Sequence, residues 1–240
     1  MESSYRLLST AAVPQSAVDN AAANGVSIDV VPFIEISHIR TEELLTLVKS
    51  LAGEAINVIF TSAQAVIAIE DCIGDTLPAW NIFCLGSETL KKVQQLLPGT
   101  KIIGAANNAS DIAKVIIANR VSNLYFFCSN IRLNNLPDAL AEAKIRYREL
   151  VVYNTNELHN KITTPYDGIL FYSPSGVNSF FNDNTVSDGT LLFSIGNTTA
   201  AAIRKHVTKN IMVISDKPSK AQMVSDAVAY IKNETINKTI

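Results

Sequence analysis

The 240-residue chain lacks most of the features that announce a function at once. It has only three cysteines, Cys72, Cys84 and Cys128, far apart and each in an apolar context. An odd number at such spacing gives no disulfide framework, and no histidine arrangement marks any of them as a nucleophile. They read as buried free thiols in a reducing cytosol. The three histidines, His38, His159 and His206, show no metal-ligand spacing and read as surface or linker residues. There is no Gly-x-Gly-x-x-Gly and no Walker lysine motif, so nucleotide binding lacks its usual marks. Net charge is −2 with no basic run, which excludes the usual electrostatic footprint of a nucleic-acid binder. No apolar stretch approaches the roughly 20 residues of a membrane span. The start, MESSYRLLSTAAVPQ, shows no basic segment followed by a long apolar one, so no secretory signal is expected and a cytoplasmic location is.

The chain is 48% hydrophobic and 18% charged, enough to bury a sizeable core and too apolar for disorder. Short runs rich in Ile, Val and Phe alternate with helix-length segments. INVIF (56–60), WNIFCL (80–85), TKIIGA (100–105), NLYFF (123–127) and RYRELVVY (146–153) read as strands. Between them lie helices over SAQAVIAIEDC, GSETLKKVQQLL, SDIAKVIIA and NNLPDALAEAK, with Ser110 as the expected cap of the third. Buried runs separated by helices imply a parallel sheet covered on both faces.

The second half repeats the first. Val58 matches Ile169 at an offset of 111, Gly86 matches Gly196 at 110, and Ser110 matches Ser219 at 109. Three strand–turn–helix units thus recur in register. The second copy runs out of chain after its third unit, and its missing pieces stand at the start: YRLLST (5–10), a helix from about Pro14 to Asn24, Gly25 as its stop, and VSIDVV (26–31). The expected fold is α/β, with two similar domains whose parallel sheets are flanked by helices. Domain 1 is discontinuous, residues 1–34 and 157–240, and domain 2 is inserted as 38–153. The two crossings, near PFIEIS (32–37) and VVYNTNEL (151–158), have strand-like sequence and are expected to pair as a two-stranded antiparallel hinge.

In parallel α/β sheets, ligands bind beyond the carboxyl ends of the strands. Four repeated turns are expected there: Thr61-Ser62, Gly86–Thr89, Ser173–Gly176 and Gly196–Thr199. Each opens a helix, whose unpaired N–H groups and partial positive charge suit carboxylates or phosphates. Glycine lets a ligand approach the backbone, and Ser or Thr adds a hydroxyl donor. A single such turn reads as a plain N-cap; four on one rim favour an anion site. Arg132, after the strand end CSN, reads either as a bidentate anion partner or as a surface charge. Tyr153, where LVVY meets the crossing, reads either as packing or as a proton donor. Asp71, Asp75, Glu42, Glu43 and Glu142 read as solvated helix charges.

At this point the residues resemble the uroporphyrinogen-III synthase family, over nearly the whole chain. The resemblance is carried by IFTSAQAV (59–66), LPDALAEAKIRYRELVVYNT (136–155), LFYSPSGVNSFF (170–181) and IGNTTAAAIRKH (195–206). The last is close to the family's Ile-Gly-Pro-Thr-Thr-Ala, with Asn197 in the place of proline. The chain departs from the family at two strand ends. Ser9-Thr10-Ala11 stands where many members have Thr-Arg, and Cys128-Ser129-Asn130 where many have a glycine.

What the resemblance implies is a cofactor-free cyclisation of hydroxymethylbilane, a linear tetrapyrrole, with water lost and the terminal ring inverted. Such chemistry needs positioning above all, and one proton donor. Tyr153 is the candidate acid. Thr61, Ser62, Gly86, Thr89, Arg132, Ser173, Ser175, Gly176, Gly196, Thr198 and Thr199 are the candidate binders of the substrate's acetate and propionate groups. No metal is implied, and no partner beyond the substrate: no nucleic acid, no membrane, and a monomer. Two rival readings share the fold. A hinged two-domain binding protein for an anionic small molecule would need no catalytic residue. A sugar-phosphate or nucleotide enzyme would be expected to show an acid–base pair or a metal site in the rim loops.

Overall fold

The computed structural model describes residues 5–215, 217 and 219–237. In chain order the elements are β1 (Tyr5–Ser9), α1 (Gln15–Ala23), β2 (Val26–Val30), β3 (Ile34–His38), α2 (Glu42–Ala52), β4 (Asn57–Phe60) and α3 (Ala63–Ile73). Then come β5 (Asn81–Leu85), α4 (Ser87–Leu96), β6 (Lys101–Ala106), α5 (Ala109–Ala118), β7 (Asn123–Ser129), α6 (Asn135–Glu142) and β8 (Arg146–Glu157). The last are β9 (Gly168–Phe171), α7 (Pro174–Asp183), β10 (Leu191–Ser194), α8 (Asn197–Ile203), β11 (Met212–Ile214) and α9 (Lys220–Asn237).

The chain divides into two compact units. One is split in sequence: its two segments are the described residues up to Glu35 and those from Asn156 onward. The other, inserted, is Ile36–Thr155. The split unit has a parallel sheet in the order β11-β10-β9-β1-β2. The inserted unit has the order β3-β8-β7-β4-β5-β6, parallel from β8 to β6. Setting β4, β5, β6, β7 and β8 against β9, β10, β11, β1 and β2 makes the two orders identical. The duplication seen as steady offsets is therefore a duplication of topology, with the last two strands of the split unit's copy placed at the chain's start. β3 and β8 straddle the two boundaries. Leu158 N donates to Phe33 O (2.9 Å) and Ile39 N to Val152 O (3.0 Å), so the partners run in opposite directions.

The strands form because both of their faces are buried. β9 is buried at all four positions and β4 at its last three. In the inserted unit one face packs on α2, α3 and α4 around Phe60, Val66, Trp80 and Phe127, the other on α5 and α6 around Phe83, Ile112, Phe126 and Leu140. In the split unit α1 and α9 cover one face and α7 and α8 the other. Trp80 satisfies its indole by donating to Leu51 O at 2.7 Å. Gly25, at φ +77°, sits in the left-handed region that lets the chain leave α1 and turn directly into β2.

The third cap differs from expectation. The cap lies two residues earlier: α5 begins at Ala109, and Asn108 caps it, its side chain accepting from Asp111 N at 2.9 Å; Ser110 lies inside the first turn. Asn108 and Ser219 are also 111 apart, and Ser219 immediately precedes α9, so the correction keeps the repeat's offset. Asn and Ser serve equally as caps, and only the frame of the helix decides between neighbouring candidates. Asp71 is not simply solvated: Arg40 holds it in an ion pair beside His38.

Candidate functional site

In each unit the strand order reverses at one place, between β7 and β4 in the inserted unit and between β1 and β9 in the split one. Beyond the carboxyl ends of such strands the flanking connections diverge, which leaves the backbone there open to a ligand. A groove of about 370 Å³ lined by Asn57, Tyr125, Arg146 and Arg148 lies at the amino ends of β4, β7 and β8 and belongs to the opposite rim.

At the reversal in the inserted unit, the central side chain is Tyr153. Along β8, Leu150 and Val152 face the α2/α3/α4 core, and Tyr147 faces the α5/α6 core, by ordinary alternation. Cys128 pairs with Val151 but Ser129 pairs with Tyr153, so Val152 is an extra residue in β8. This bulge breaks the alternation. Val151 is left exposed, while Val152 and Tyr153 both turn into the same core, at 0% and 7% exposure. The phenol thereby joins the face that carries α3, near Ser62, the cap of that helix, and Ser129, at the end of β7. Burial pushes the phenol above its ordinary value of 10.0, and the neighbouring serine hydroxyls pull it back only in part. Tyr153 is therefore a neutral O–H donor throughout the physiological range.

The serines are themselves fixed. Ser62 Oγ accepts from Gln64 N at 3.1 Å. Ser129 Oγ accepts from Ile131 N at 2.9 Å and lies 3.3 Å from Thr155 Oγ1. Asn130 Oδ1 accepts from Thr155 N at 2.7 Å, tying the β7 end to β8. Thr61, between β4 and Ser62, is half-buried on the same rim.

The split unit's reversal carries the matching turn. Ser173 caps α7 by accepting from Gly176 N at 3.1 Å, with Pro174 at the first helical position. Ser175 Oγ lies 3.1 Å from Ser173 Oγ. Gly176 is buried, and a Cβ there would press to 3.2 Å from Ser173 Oγ. Tyr172, the residue after β9, has its hydroxyl 3.2 Å from Ser9 Oγ at the end of β1. Burial pushes this phenol up to about 12. Lys220, the first residue of α9, donates from Nζ to Ala12 O at 2.8 Å.

The two glycine turns stand one strand further out, on β5 and β10. Gly86 opens α4 at φ +93°, a conformation that glycine alone adopts without strain. Gly196 opens α8 at φ 175°, extended backbone open to any residue. Thr89 and Thr199 are buried in the first turns of these helices, and Thr198 is exposed.

Arg132 stands apart from these groups. Its guanidinium pairs with Glu149 at 2.5 Å and donates to Asn134 Oδ1 at 2.5 Å. That pairing raises the Arg132 pKa and engages the fork that an anion would need. The structure thus brings Tyr153 and Ser62 together, sets Ser173, Ser175 and Gly176 at the equivalent turn, and turns Arg132 to an internal partner. Ser129, Tyr172 and Lys220 were missed by sequence reasoning. Strand-end position relative to the reversal marks the first two, and it needs the strand order. Among the described residues no group of three His, Cys, Asp or Glu is placed to hold a metal ion, and no helix is long and apolar enough to cross a membrane.

The fold has relatives among solved structures. A uroporphyrinogen III synthase from Thermus thermophilus, a selenomethionine mutant, superimposes with a TM-score of 0.68 at 14% identity, covering 96% of this chain and 100% of that one. The uroporphyrinogen-III synthetase of Helicobacter pylori gives 0.65 at 16% identity, covering 94% and 99%. At such identities the likeness shows the fold. No curated protein matches the chain by sequence. The family model described as Uroporphyrinogen-III synthase HemD matches residues 15–225. That match spans both units and the four helix-opening turns at 61–62, 86–89, 173–176 and 196–199, and the chain belongs to the uroporphyrinogen-III synthase family.

Proposed function

We propose that the chain closes hydroxymethylbilane to uroporphyrinogen III, with Tyr153 supplying the proton on which the reaction starts. The observation that carries this role is the placement of a buried, neutral phenol between two rim serines at a strand-order reversal. The substrate's hydroxymethyl oxygen is a poor leaving group until it is protonated. The Tyr153 O–H gives its proton to that oxygen, the C–O bond breaks, and water leaves behind an azafulvene cation. The substituted carbon of the terminal pyrrole attacks this cation to form a spiro centre. Fragmentation and reclosure on the other side invert the ring. The proton then released from the closing carbon restores the phenol, so the phenol is unchanged and water is the only by-product. General acid assistance of this kind is worth about 10²–10⁴-fold.

The remaining demand is to hold a flexible polyanion in a curled shape, the positioning share of catalysis. Thr61, Ser62, Gly86 and Thr89 on the inserted unit, and Ser173, Ser175, Gly176, Gly196, Thr198 and Thr199 on the split unit, hold its acetate and propionate groups. Helix-start N–H groups and hydroxyls supply the donors. Arg132 is left out of this set because Glu149 occupies it. The reading carries with it a monomer acting in a reducing cytosol on the tetrapyrrole alone, in keeping with three buried free thiols. The test is a coupled assay from porphobilinogen that resolves type I from type III uroporphyrin; the purified chain is expected to give type III without added metal or nucleotide.

A further inference from the structure

Lys220 has a geometry that no loop-clamping role requires. It begins α9, yet its side chain crosses to the connection after β1, where Nζ donates to Ala12 O at 2.8 Å. The ammonium also lies 5.7 Å from the centroid of the Tyr172 ring, a cation–π distance. Ala12 follows β1 and Tyr172 follows β9, the two strands that flank the split unit's reversal. Lys220 is exposed as a residue, and the partial desolvation it meets at this place pushes its pKa below the ordinary 10.5.

An ammonium has three N–H donors, and the carbonyl takes one. Among the described residues, the carboxylates within ion-pair distance of a cation serve Arg6, His38, Arg40, Lys91, Lys114, Arg132, His159 and Lys209, and none serves Lys220. Holding a lysine stem in one place for a single neutral carbonyl gains little against the rotamer freedom lost. The gain is larger if the same ammonium also meets an anion, because a charge-assisted bond is about twice as strong as a neutral one.

The sequence of the receiving loop supports this. Thr10-Ala11-Ala12-Val13-Pro14 has no charge. The loop at the reversal would otherwise be without a cation. We propose that Lys220 Nζ holds one carboxylate of the tetrapyrrole substrate at the split unit's rim, supplying from α9 the charge that the β1–α1 loop lacks. This rests on the synthase reading given above.

The experiment compares wild type, Lys220→Met and Lys220→Arg in the type I/type III assay, with KM, kcat and melting temperature measured for each. The Met variant is expected to raise KM by about 10- to 100-fold, the worth of a charge-assisted bond, and to leak type I product. Its melting temperature should stay within a few degrees of wild type, and the Arg variant should recover most of the KM. An unchanged KM in the Met variant overturns the proposal. So does a KM loss that comes with a large drop in melting temperature and no rescue by Arg, which marks a structural clamp. If the wild type itself yields only type I, the synthase reading falls and the proposal falls with it. Type III from the wild type with a kinetically normal Met variant sinks the proposal alone.

Discussion

Tyr153 reaches Ser62 because β8 carries one residue more than β7 between the paired positions Cys128–Val151 and Ser129–Tyr153. Without Val152 as the extra residue, strand alternation would direct the phenol to the opposite face of the sheet, toward α5 and α6. Bulges commonly re-aim a side chain beside an active site. Here the bulge turns the phenol to the sheet face that carries Ser62 rather than to the one that carries α5 and α6.

Tyr153→Phe removes that O–H and little else. Turnover is expected to fall by about 10²–10⁴-fold, and the product mixture to shift toward type I as spontaneous closure competes. Stability should change by no more than about 1 kcal/mol, the net worth of an ordinary hydrogen bond. Steady-state kinetics with isomer analysis, beside a thermal melt, checks both.

The pH dependence has a definite sign. As the proposed acid, the phenol would act while protonated, and burial has raised its pKa above 10.0. A raised pKa keeps the donor in its active form further into alkali. The acid's contribution to kcat should thus be flat across neutrality and decline only above pH 10, as the raised phenol ionises. A decline centred near neutrality would assign the proton to another group.

Gly86 and Gly196 separate backbone strain from ligand approach. A side chain at 196 meets extended backbone and nothing within 4 Å, so Gly196→Ala should melt with the wild type. At 86 the φ of +93° makes alanine cost about 1–2 kcal/mol. If substrate comes close to both turns, both variants lose kcat/KM, although only one loses stability. Retained activity in Gly196→Ala would remove that turn from the binding set.

Thiol chemistry gives an independent check of burial. Desolvation pushes Cys84 up to about 12 and Cys128 up to about 11, and raises Cys72 as well. Thiolate is the reactive form, so the folded protein should react with a disulfide reagent very slowly at neutral pH and faster as pH climbs. Unfolding in guanidinium should release all three thiols at once. Fast reaction of the folded chain at neutral pH would contradict the packing described.

Much of this fold could be read from the chain alone, because apolar runs of strand length alternated with helical segments and recurred at a steady offset. Ser62 and Ser173 were legible as caps, since a hydroxyl before a helix at matched positions has few other uses. Ser110 was not separable from Asn108, because both residue types cap and the frame depends on where β6 stops. Arg132 looked free because its partner, Glu149, lies on another strand. Ser129 and Lys220 gain meaning only from strand order, which places residues 129 and 62, or 220 and 12, at one rim. The bulge at Val152 is a relation between two strands and leaves no mark in either one.

Product identity tests the central claim most directly. Porphobilinogen converted to hydroxymethylbilane in the presence of the purified chain, without metal or nucleotide, should yield type III uroporphyrin in excess, and Tyr153→Phe should return the mixture toward type I. Type I alone from the wild-type chain would contradict the synthase reading. Type III formed by Tyr153→Phe at the wild-type rate would leave the family assignment in place and refute the phenol as its acid.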